Sequence, residues 1–426
     1  MIATQIHGVR GRQILDSRGR PTVEAEVVLA GGARATASAP AGASRGAAEA
    51  FELRDGDPAH FEGRGVITAA AHVSGEISAA LVGRDGLDQA GVDGLMRKLD
   101  GTPQLSRLGG NAVLAVSIAV ARAGAAAIGV PLYRRLSELA GGSEPTMPMP
   151  MVNILSGGLH AARGMDVQDF LVIPVGAASY SQALDWACRV RSAAALLCDR
   201  TGISTLLADE GGLSPGFTQS SDALDLMVRA FEHAGLKPGV DVAIALDIAA
   251  NSLVDASGRY RFQRAGERLT SEEMIERLED WTARYPIVSI EDGLHEEDWA
   301  HWPTLTRRLG HIQLIGDDLF ATQPARIARG VEIGAGNCAL IKINQNGTLT
   351  GTLEALSTAR AGGFATVVSA RSGETEDTFI ADLAVGSAAA QIKIGSVRNT
   401  ERLAKYNQLS RIEEDGLPFA GWTRGR

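Results

Sequence analysis

The stretches VAIALD (242–247) and PIVSIE (286–291) indicate how this chain folds. Each is a continuous apolar run that ends on a carboxylate, and a helix-like segment lies between them. Continuous apolar runs, unlike alternating ones, are typical of strands buried on both faces of a parallel sheet. The pattern recurs through the second half of the chain, where the runs end at Glu210, Asp247, Glu291, Asp317, Lys342, Ala370 and Lys393.

Repeated strand–helix units predict an α/β fold, and closing them into a (β/α)8 barrel places every strand end on one rim. Carboxylates and lysines would therefore meet at that rim. Three converging carboxylates predict a site for a hard divalent cation such as Mg²⁺. A lysine beside such a site is a candidate general base. Since a lysine must be neutral to accept a proton, we expect neighbouring cations to lower its pKa.

The composition is that of a large enzyme and disfavours two classes of partner. The chain has 426 residues and a net charge of −9, which argues against nucleic acid as a partner. No unbroken apolar run reaches membrane-spanning length, so no membrane partner is expected. A signal-peptide pattern is not found, and we expect a cytoplasmic protein. The three cysteines lack metal-binding spacing and are interpreted as reduced thiols: Cys188, Cys198 and Cys338.

The pattern changes near residue 138, which predicts an N-terminal domain (1–138) and a barrel domain (139–426). Two strands of a small antiparallel sheet are predicted over 22–30 and 33–41, joined by a tight turn at Gly31 and Gly32. Helices are predicted over 66–81, 87–99 and 111–128, and the Gly-, Pro- and Ser-rich segment 141–150 is interpreted as the linker.

A series of motifs, in the same order along nearly the whole chain, resembles the enolase (phosphopyruvate hydratase) family. So many collinear motifs make chance similarity negligible, unlike a single short pattern. In the first domain they are DSRGRPTVEAEV (16–27), PAGASRG (40–46) and ELRDGD (52–57). In the second they are LADEGGLSP (207–215), SIEDGLHEEDW (289–299), IGDDLF (315–320), IKINQNGTL (341–349), SARSGETEDTFIADLAVG (369–386) and ERLAKYNQLSRIEE (401–414).

The resemblance implies a modified eight-stranded (β/α)8 TIM barrel capped by an N-terminal α+β domain. It also implies two Mg²⁺ ions and a homodimer or a higher homo-oligomer. A Lys or His base with one or two Mg²⁺ ions is general for the enolase superfamily. The implied substrate is a small phosphorylated acid, 2-phosphoglycerate, which loses a proton next to its carboxylate and then hydroxide to give phosphoenolpyruvate. Fixed cations are needed because the intermediate gathers negative charge on that carboxylate.

The same resemblance implies a role for particular residues. The catalytic ones would be the base Lys342, the acid Glu210, its partner Asp169 and the lid-loop histidine His160. Those implied to contact the substrate are Ser44, Arg45, Gln168, Ala370, Arg371, Ser372 and Lys393. The implied Mg²⁺ ligands are Asp247, Glu291 and Asp317, with Ser44 for the second ion.

Five positions depart from the family pattern. Ala370 stands where the family has an active-site histidine, and Asp169 replaces a glutamate that is longer by one methylene group. Arg45 replaces a threonine, which adds a positive charge beside the phosphate site. The other two departures are Ser156, in place of an asparagine, and Asn346, in place of an isoleucine. Because the metal ligands and the base match the family, we expect proton abstraction to be retained and the leaving-group side to be altered.

Three interpretations follow. The first is a divergent enolase paralogue that forms an enolpyruvate-type product from 2-phosphoglycerate or a close analogue, such as a carboxyphosphonoenolpyruvate synthase of phosphonate or phosphinate biosynthesis. The second is an ordinary glycolytic enolase with tolerated substitutions. The third is a non-catalytic binding protein with the enolase fold, and the matching base, acid and metal ligands disfavour it.

Overall fold

The computed structural model describes residues 2–42 and 46–422, and the strands in these residues form three sheets. The first is an antiparallel sheet of β1 (Ile6–Leu15), β2 (Pro21–Leu29) and β3 (Arg34–Ser38). The second is a closed barrel of β4 (Met149–Ser156), β5 (Asp169–Ile173), β6 (Ala243–Asp247), β9 (Ile287–Glu291), β10 (Gln313–Gly316), β11 (Cys338–Ile341), β12 (Ala365–Ser369) and β13 (Gln391–Gly395). The third is a hairpin of β7 (Tyr260–Phe262) and β8 (Glu267–Leu269).

The barrel confirms the predicted α/β fold class. Its order is β10-β11-β12-β13-β4-β5-β6-β9, and strands such as β6 and β13 are buried along their whole length, as continuous apolar runs require. One strand departs from a regular (β/α)8 barrel, because β5 runs antiparallel to both β4 and β6. The first residue of β5 therefore lies at the rim where the other strands end. That residue is Asp169, which pairs with Asp247 and Ser156.

The prediction of a strand ending at Glu210 is wrong. The run STLLADE (204–210) is a loop whose only ladder contact in the described chain is an isolated bridge from Leu207 to Leu213. Leu206 is 75% exposed, so this apolar run is not covered on two faces as a barrel strand would be. In the barrel, the strand between β4 and β6 is β5 and not this run. A smaller difference concerns Lys393, which lies inside β13 rather than at its end.

The N-terminal sheet has one strand more than predicted. The strand β1 carries polar and charged side chains on its exposed face, which hides its alternation in the sequence. The helix α4 (Gly110–Ile128) packs on β2 and β3. It is long and apolar enough to cross a membrane, but 78% of its most apolar window is buried, which is typical of a core helix. The segment predicted as a linker ends earlier than expected, since β4 begins at Met149.

Helices surround the barrel and complete the N-terminal domain. The helix predicted over 66–81 consists of two α-helical pieces joined by a π-helical turn at Val73–Ile77. Besides α4, the helices are α1 (Ile67–His72), α2 (Ser78–Leu81), α3 (Gln89–Asp100), α5 (Leu132–Leu139), α6 (Tyr180–Arg200), α7 (Ser220–His233), α8 (Ser271–Arg284), α9 (Trp302–Leu309), α10 (Pro324–Ile333), α11 (Ile343–Asn346), α12 (Leu349–Ala361), α13 (Phe379–Gly386) and α14 (Thr400–Glu413).

Candidate active site

Three carboxylates lie side by side on the rim of the barrel. Asp247 and Glu291 end β6 and β9, and Asp317 directly follows β10, the next strand in the barrel. From across the barrel, Lys393 Nζ donates to Asp247 Oδ2 at 2.8 Å and to Glu291 Oε2 at 2.7 Å. Lys342 donates to Asp317. Two ammonium groups thus bind the three carboxylates that are predicted as metal ligands.

The carboxylates fit a hard divalent cation. Glu291 Oε1 is buried and has no hydrogen-bond partner in the described part of the chain, so it retains a full capacity to bind a cation. Burial, together with the charge of Asp247, raises the pKa of Glu291 to about 8, although Lys393 opposes the shift. A bound cation would therefore stabilise the ionised form of Glu291. Oxygen donors on adjacent strand ends are the ligand type that Mg²⁺ requires.

Two further carboxylates at this rim were missed by sequence reasoning. Asp292 and Asp318 offer oxygens that lie within 4.8 Å of each other and of an oxygen of Asp317. Asp292 adopts a positive φ of 42° and accepts hydrogen bonds from the backbone N–H groups of Asp317 and Asp318, both at 2.9 Å. It therefore shapes the turn that aims Asp317. The signal in the sequence was the second acid in SIEDG and in IGDD.

The candidate base Lys342 is held in its charged form by the protein. Burial disfavours the ammonium, but the opposite charge of Asp317 outweighs it and raises the pKa of Lys342. The expectation of a lowered pKa is thus not met by the protein groups alone. Asp317 is in direct contact with Lys342, whereas the neighbouring cations Arg371 and Lys393 act more weakly.

The predicted phosphate-binding side follows β12. Arg371 Nη1 donates to Glu49 Oε2 at 2.9 Å and to Asn344 Oδ1 at 3.3 Å. Ser372 Oγ accepts from Arg18 Nη1 at 3.1 Å, which brings a second guanidinium to this side. Arg18 was missed, although the DSRG motif contains it. Ser44 and Arg45 lie outside the described residues.

The predicted leaving-group side is built from β5 and two loops. Asp169 Oδ2 contacts His160 Nδ1 at 2.9 Å, and His160 Nε2 lies 3.8 Å from Glu210 Oε1. Gln168 Nε2 donates to Asp247 Oδ2 at 3.2 Å, which links this side to the predicted metal ligands. Glu210 lies in a loop and not at the end of a strand. Two glycines, Gly211 and Gly212, follow it where the chain turns. Gly211 adopts a positive φ of 85° there.

One cleft joins the three sides. Ala370 lines it with a methyl group where the family pattern places a histidine. Among the described residues, neither Glu291 nor Asp169 lines the cleft, because both lie deeper in the barrel. The lining residues are His160, Gln168, Glu210, Asp247, Ala249, Asp292, Asp317, Asp318, Lys342, Ser369, Ala370, Arg371, Ser372 and Lys393.

Like Asp169, two of the other departures, Ser156 and Asn346, do not line the cleft. Asn346 binds the N-terminal domain, since its Oδ1 accepts from Arg97 Nη2 at 2.6 Å. Ser156 is fully buried behind the lining, where its hydroxyl donates to Asp169 Oδ1 at 2.8 Å. Both residues therefore support the site through contacts behind its lining and do not face the cleft.

Comparisons with known proteins agree with this architecture along almost the entire chain. The family model described as "Enolase, N-terminal domain" matches residues 6–136, and the model described as "Enolase, C-terminal TIM barrel domain" matches residues 144–422. Two curated proteins, both named "Enolase" and both from Tropheryma whipplei (strains Twist and TW08/27), are each 48% identical to this chain over 421 residues. The alignment covers 98% of this chain and 97% of each relative. The resemblance seen in the motifs is thereby confirmed, and the chain belongs to the enolase family of lyases.

Proposed function

We propose that this protein is an enolase that converts 2-phosphoglycerate into phosphoenolpyruvate and water. The observation that carries the proposal is the cleft in which Lys342, Lys393 and Arg371 face a row of carboxylates. The near full-length identity of 48% to proteins named enolase supports this ordinary dehydration over an altered reaction.

Asp247, Glu291 and Asp317 would hold one Mg²⁺ ion, and Ser44 would help to hold a second. When bound, these ions would supply the positive charge that stabilises the doubly charged carboxylate of the intermediate. Support comes from the two lysines, whose ammonium groups already bind the three carboxylates.

The other residues of the cleft would bind and orient the substrate. Arg371 and Ser372 would hold the phosphate, since a guanidinium fork matches phosphate oxygens. Lys393 would pair with the substrate carboxylate. Lys342, once neutral, would take the C2 proton from one side. Glu210 and His160 would face the hydroxyl that leaves from C3.

A second candidate function is favoured by Ala370, which leaves space in the cleft where the family has a histidine. In this case the protein is a divergent paralogue that acts on 2-phosphoglycerate or a close analogue and forms another enolpyruvate-type product, as a carboxyphosphonoenolpyruvate synthase does. Arg45 would then suit an additional anionic group.

We further propose that the chain divides near residue 138 into a capping domain (1–138) and a catalytic barrel domain (139–426). The two family models support this division, since their matches end at 136 and begin at 144. A homodimer or higher homo-oligomer and a cytoplasmic location are also proposed. These two rest on the family pattern and the composition.

A coupled assay that follows phosphoenolpyruvate formation from 2-phosphoglycerate with Mg²⁺ tests the main proposal. We expect turnover of about 10 s⁻¹ or more, the typical range for enzymes. Exchange of the C2 proton with deuterated water is measured in parallel. Rapid exchange with phosphoenolpyruvate formation slower by two or more orders of magnitude would reject ordinary enolase activity in favour of the second candidate.

A further inference from the structure

Gln345 is a buried glutamine that binds one of the predicted metal ligands from behind. It is 0% exposed and belongs to α11, the short helix that begins directly after Lys342. Its Nε2 donates to Asp317 Oδ1 at 2.8 Å and lies 3.4 Å from Glu49 Oε1. Gln345 does not itself line the cleft in the described part of the chain. Its contact with Asp317 is therefore made from the protein interior.

The orientation of the Gln345 amide is fixed by the groups on its two sides. An ionised carboxylate can only accept, so the NH₂ group must face Asp317 and the oxygen must face the other way. On that other side, Thr322 Oγ1 donates to Gln345 Oε1 at 2.6 Å. The same hydroxyl accepts from the backbone N–H of Lys342 at 2.9 Å. Thr322 thus links the predicted base to the amide that binds Asp317.

The backbone of Gln345 is held separately from its side chain. Its carbonyl oxygen accepts from the backbone N–H of Ala50 at 2.8 Å and from Gln323 Nε2 at 3.1 Å. Neither contact involves the amide that faces Asp317. A substitution that changes only the end of the Gln345 side chain should therefore leave α11 in place.

The two oxygens of Asp317 have different partners. Oδ1 is bound by Gln345, and Oδ2 is bound by Lys342, which lines the cleft together with Asp317. The terminal torsion of an aspartate side chain has a broad energy minimum, so the carboxylate rotates easily when nothing holds it. The lysine lies on a flexible side chain and cannot fix this rotation alone. The donor on Oδ1 supplies the second fixed point.

We propose that Gln345 is a positioning residue that fixes the rotation of the Asp317 carboxylate and keeps Oδ2 directed to the cleft for Mg²⁺. The inference rests on the proposed function, which makes Asp317 a ligand of the ion. Hydrogen bonds to a ligating carboxylate orient it, and losing one typically lowers metal affinity about 10- to 100-fold. Gln345 would therefore contribute to Mg²⁺ affinity without contacting the ion.

The first test is a calorimetric titration with Mg²⁺ alone, in the absence of substrate. Gln345→Met keeps the length of the side chain and removes the donor, so the dissociation constant of Mg²⁺ should rise about 10- to 100-fold. The matched control is Gln313→Met, which changes a glutamine of β10 that is also 0% exposed and binds Ser289. This control should bind Mg²⁺ as the unmodified protein does. Thermal melts without Mg²⁺ check that both variants are folded.

The second test uses a conservative pair at Thr322. Thr322→Val removes the hydroxyl that holds Gln345 Oε1, so the amide can turn and the dissociation constant of Mg²⁺ should rise about tenfold. Thr322→Ser retains the hydroxyl and should keep the affinity of the unmodified protein. This pair separates the hydrogen bond from the packing of a buried side chain.

The third test follows phosphoenolpyruvate formation at increasing Mg²⁺ concentration. Gln345→Met should need about 10- to 100-fold more Mg²⁺ for its half-maximal rate. Excess Mg²⁺ should restore most of kcat, because Asp317 and Lys342 are still present. A residue that served only the stability of the fold would not shift the Mg²⁺ requirement in this way.

Three outcomes would overturn the inference. They are an unchanged Mg²⁺ affinity in Gln345→Met, an equal loss in Gln313→Met, and an equal loss in the two Thr322 variants. If the unmodified protein binds no Mg²⁺, the inference fails together with the proposed metal site. If it binds Mg²⁺ but forms no phosphoenolpyruvate, only the proposed dehydration fails, and the titrations still decide the role of Gln345.

Discussion

Single residues in the cleft hold each other in defined charge states. Lys342 is bound to Asp317, Lys393 to Asp247 and Glu291, and His160 to Asp169. Removing one partner leaves the other charged and buried, which is costly. A substitution here can therefore affect more than one step of the reaction, so proton exchange, product formation and ligand binding are measured separately.

Lys342→Ala should abolish exchange of the substrate C2 proton with deuterated water. Loss of a general base lowers a rate about 10²–10⁴-fold. Binding of 2-phosphoglycerate should remain measurable by calorimetry, because Arg371, Ser372 and Lys393 are unchanged. Exchange at the rate of the unmodified protein would show that another group is the base.

Asp382→Asn should stabilise the protein at high pH. Asp382 lies in α13, and burial raises its pKa to about 6 despite the charge of Arg122. A raised carboxyl pKa means that the folded state binds the proton more tightly than the unfolded state. Stability is therefore full below about pH 4 and declines as the pH rises through 6.

At pH 8 the asparagine variant should be more stable by up to about 3 kcal/mol, and the difference should vanish near pH 4. Urea unfolding at the two pH values measures this. An equal effect at both pH values would mean that packing, and not ionisation, sets the difference.

Among the elements, the turn after β4 positions the His160 side of the site. It comprises Gly157 and the 3₁₀ turn Gly158–Ala161, which carries His160 between β4 and the reversed strand β5. A Cβ atom on Gly157 would lie 2.4 Å from the carbonyl oxygen of Val167 and 2.7 Å from Met165 Cβ. The backbone of this turn thus approaches the segment before β5 as closely as glycine alone permits.

Gly157→Ala should displace the turn and with it His160. We expect dehydration to fall about tenfold or more, since small misplacements in a catalytic arrangement are costly. Exchange of the C2 proton should be little affected, because Lys342 lies across the cleft. Gly94→Ala in α3 is the control, since its Cβ would meet no atom within 4 Å. A fall of both rates by the same factor would contradict a local effect.

The elements predicted correctly from the sequence are those whose residues are buried on both faces. The runs ending at Asp247 and Glu291 became strands because both of their faces are buried. The run ending at Glu210 is also apolar and also ends on an acid, but no second layer covers Leu206. Whether a run is covered on both faces depends on tertiary packing and is not visible in the run itself. The reversed β5 was not predicted, since a run of four apolar residues (170–173) does not show the direction of its strand. For the same reason, the sequence placed Asp169 at the site without showing that His160 lies in front of it.

On the scale of the whole molecule, the N-terminal domain closes on the barrel through polar contacts. Asp93 of α3 accepts from the backbone N–H and the hydroxyl of Thr350 at 2.9 and 2.6 Å, and Arg97 binds Asn346. Glu49 reaches Arg371 in the cleft. A ligand that binds Arg371 therefore contacts a residue through which the two parts of the chain are joined.

Mg²⁺ and 2-phosphoglycerate together should raise the melting temperature more than either alone. Ligands that bind the native state stabilise it by mass action, by about 2.7 kcal/mol at 100 times the dissociation constant. Thermal melts with each ligand and with both measure this. The control is Arg371→Ala, which should lose the gain from the phosphorylated acid. No additional shift with both ligands would reject an enolase-like site.

The pairing of β13 with β4 closes the barrel and joins parts of the chain that are far apart in sequence, with Lys393 opposite Met151. The hairpin of β4 and β5 is local by comparison and should form early, whereas contacts of high sequence separation form slowly. Lys393 reaches Asp247 and Glu291 only from the closed seam. The charge pairs of the site should therefore appear in the last phase of folding. Recovery of ligand binding after refolding would then report completion of the barrel, later than the return of helical circular dichroism.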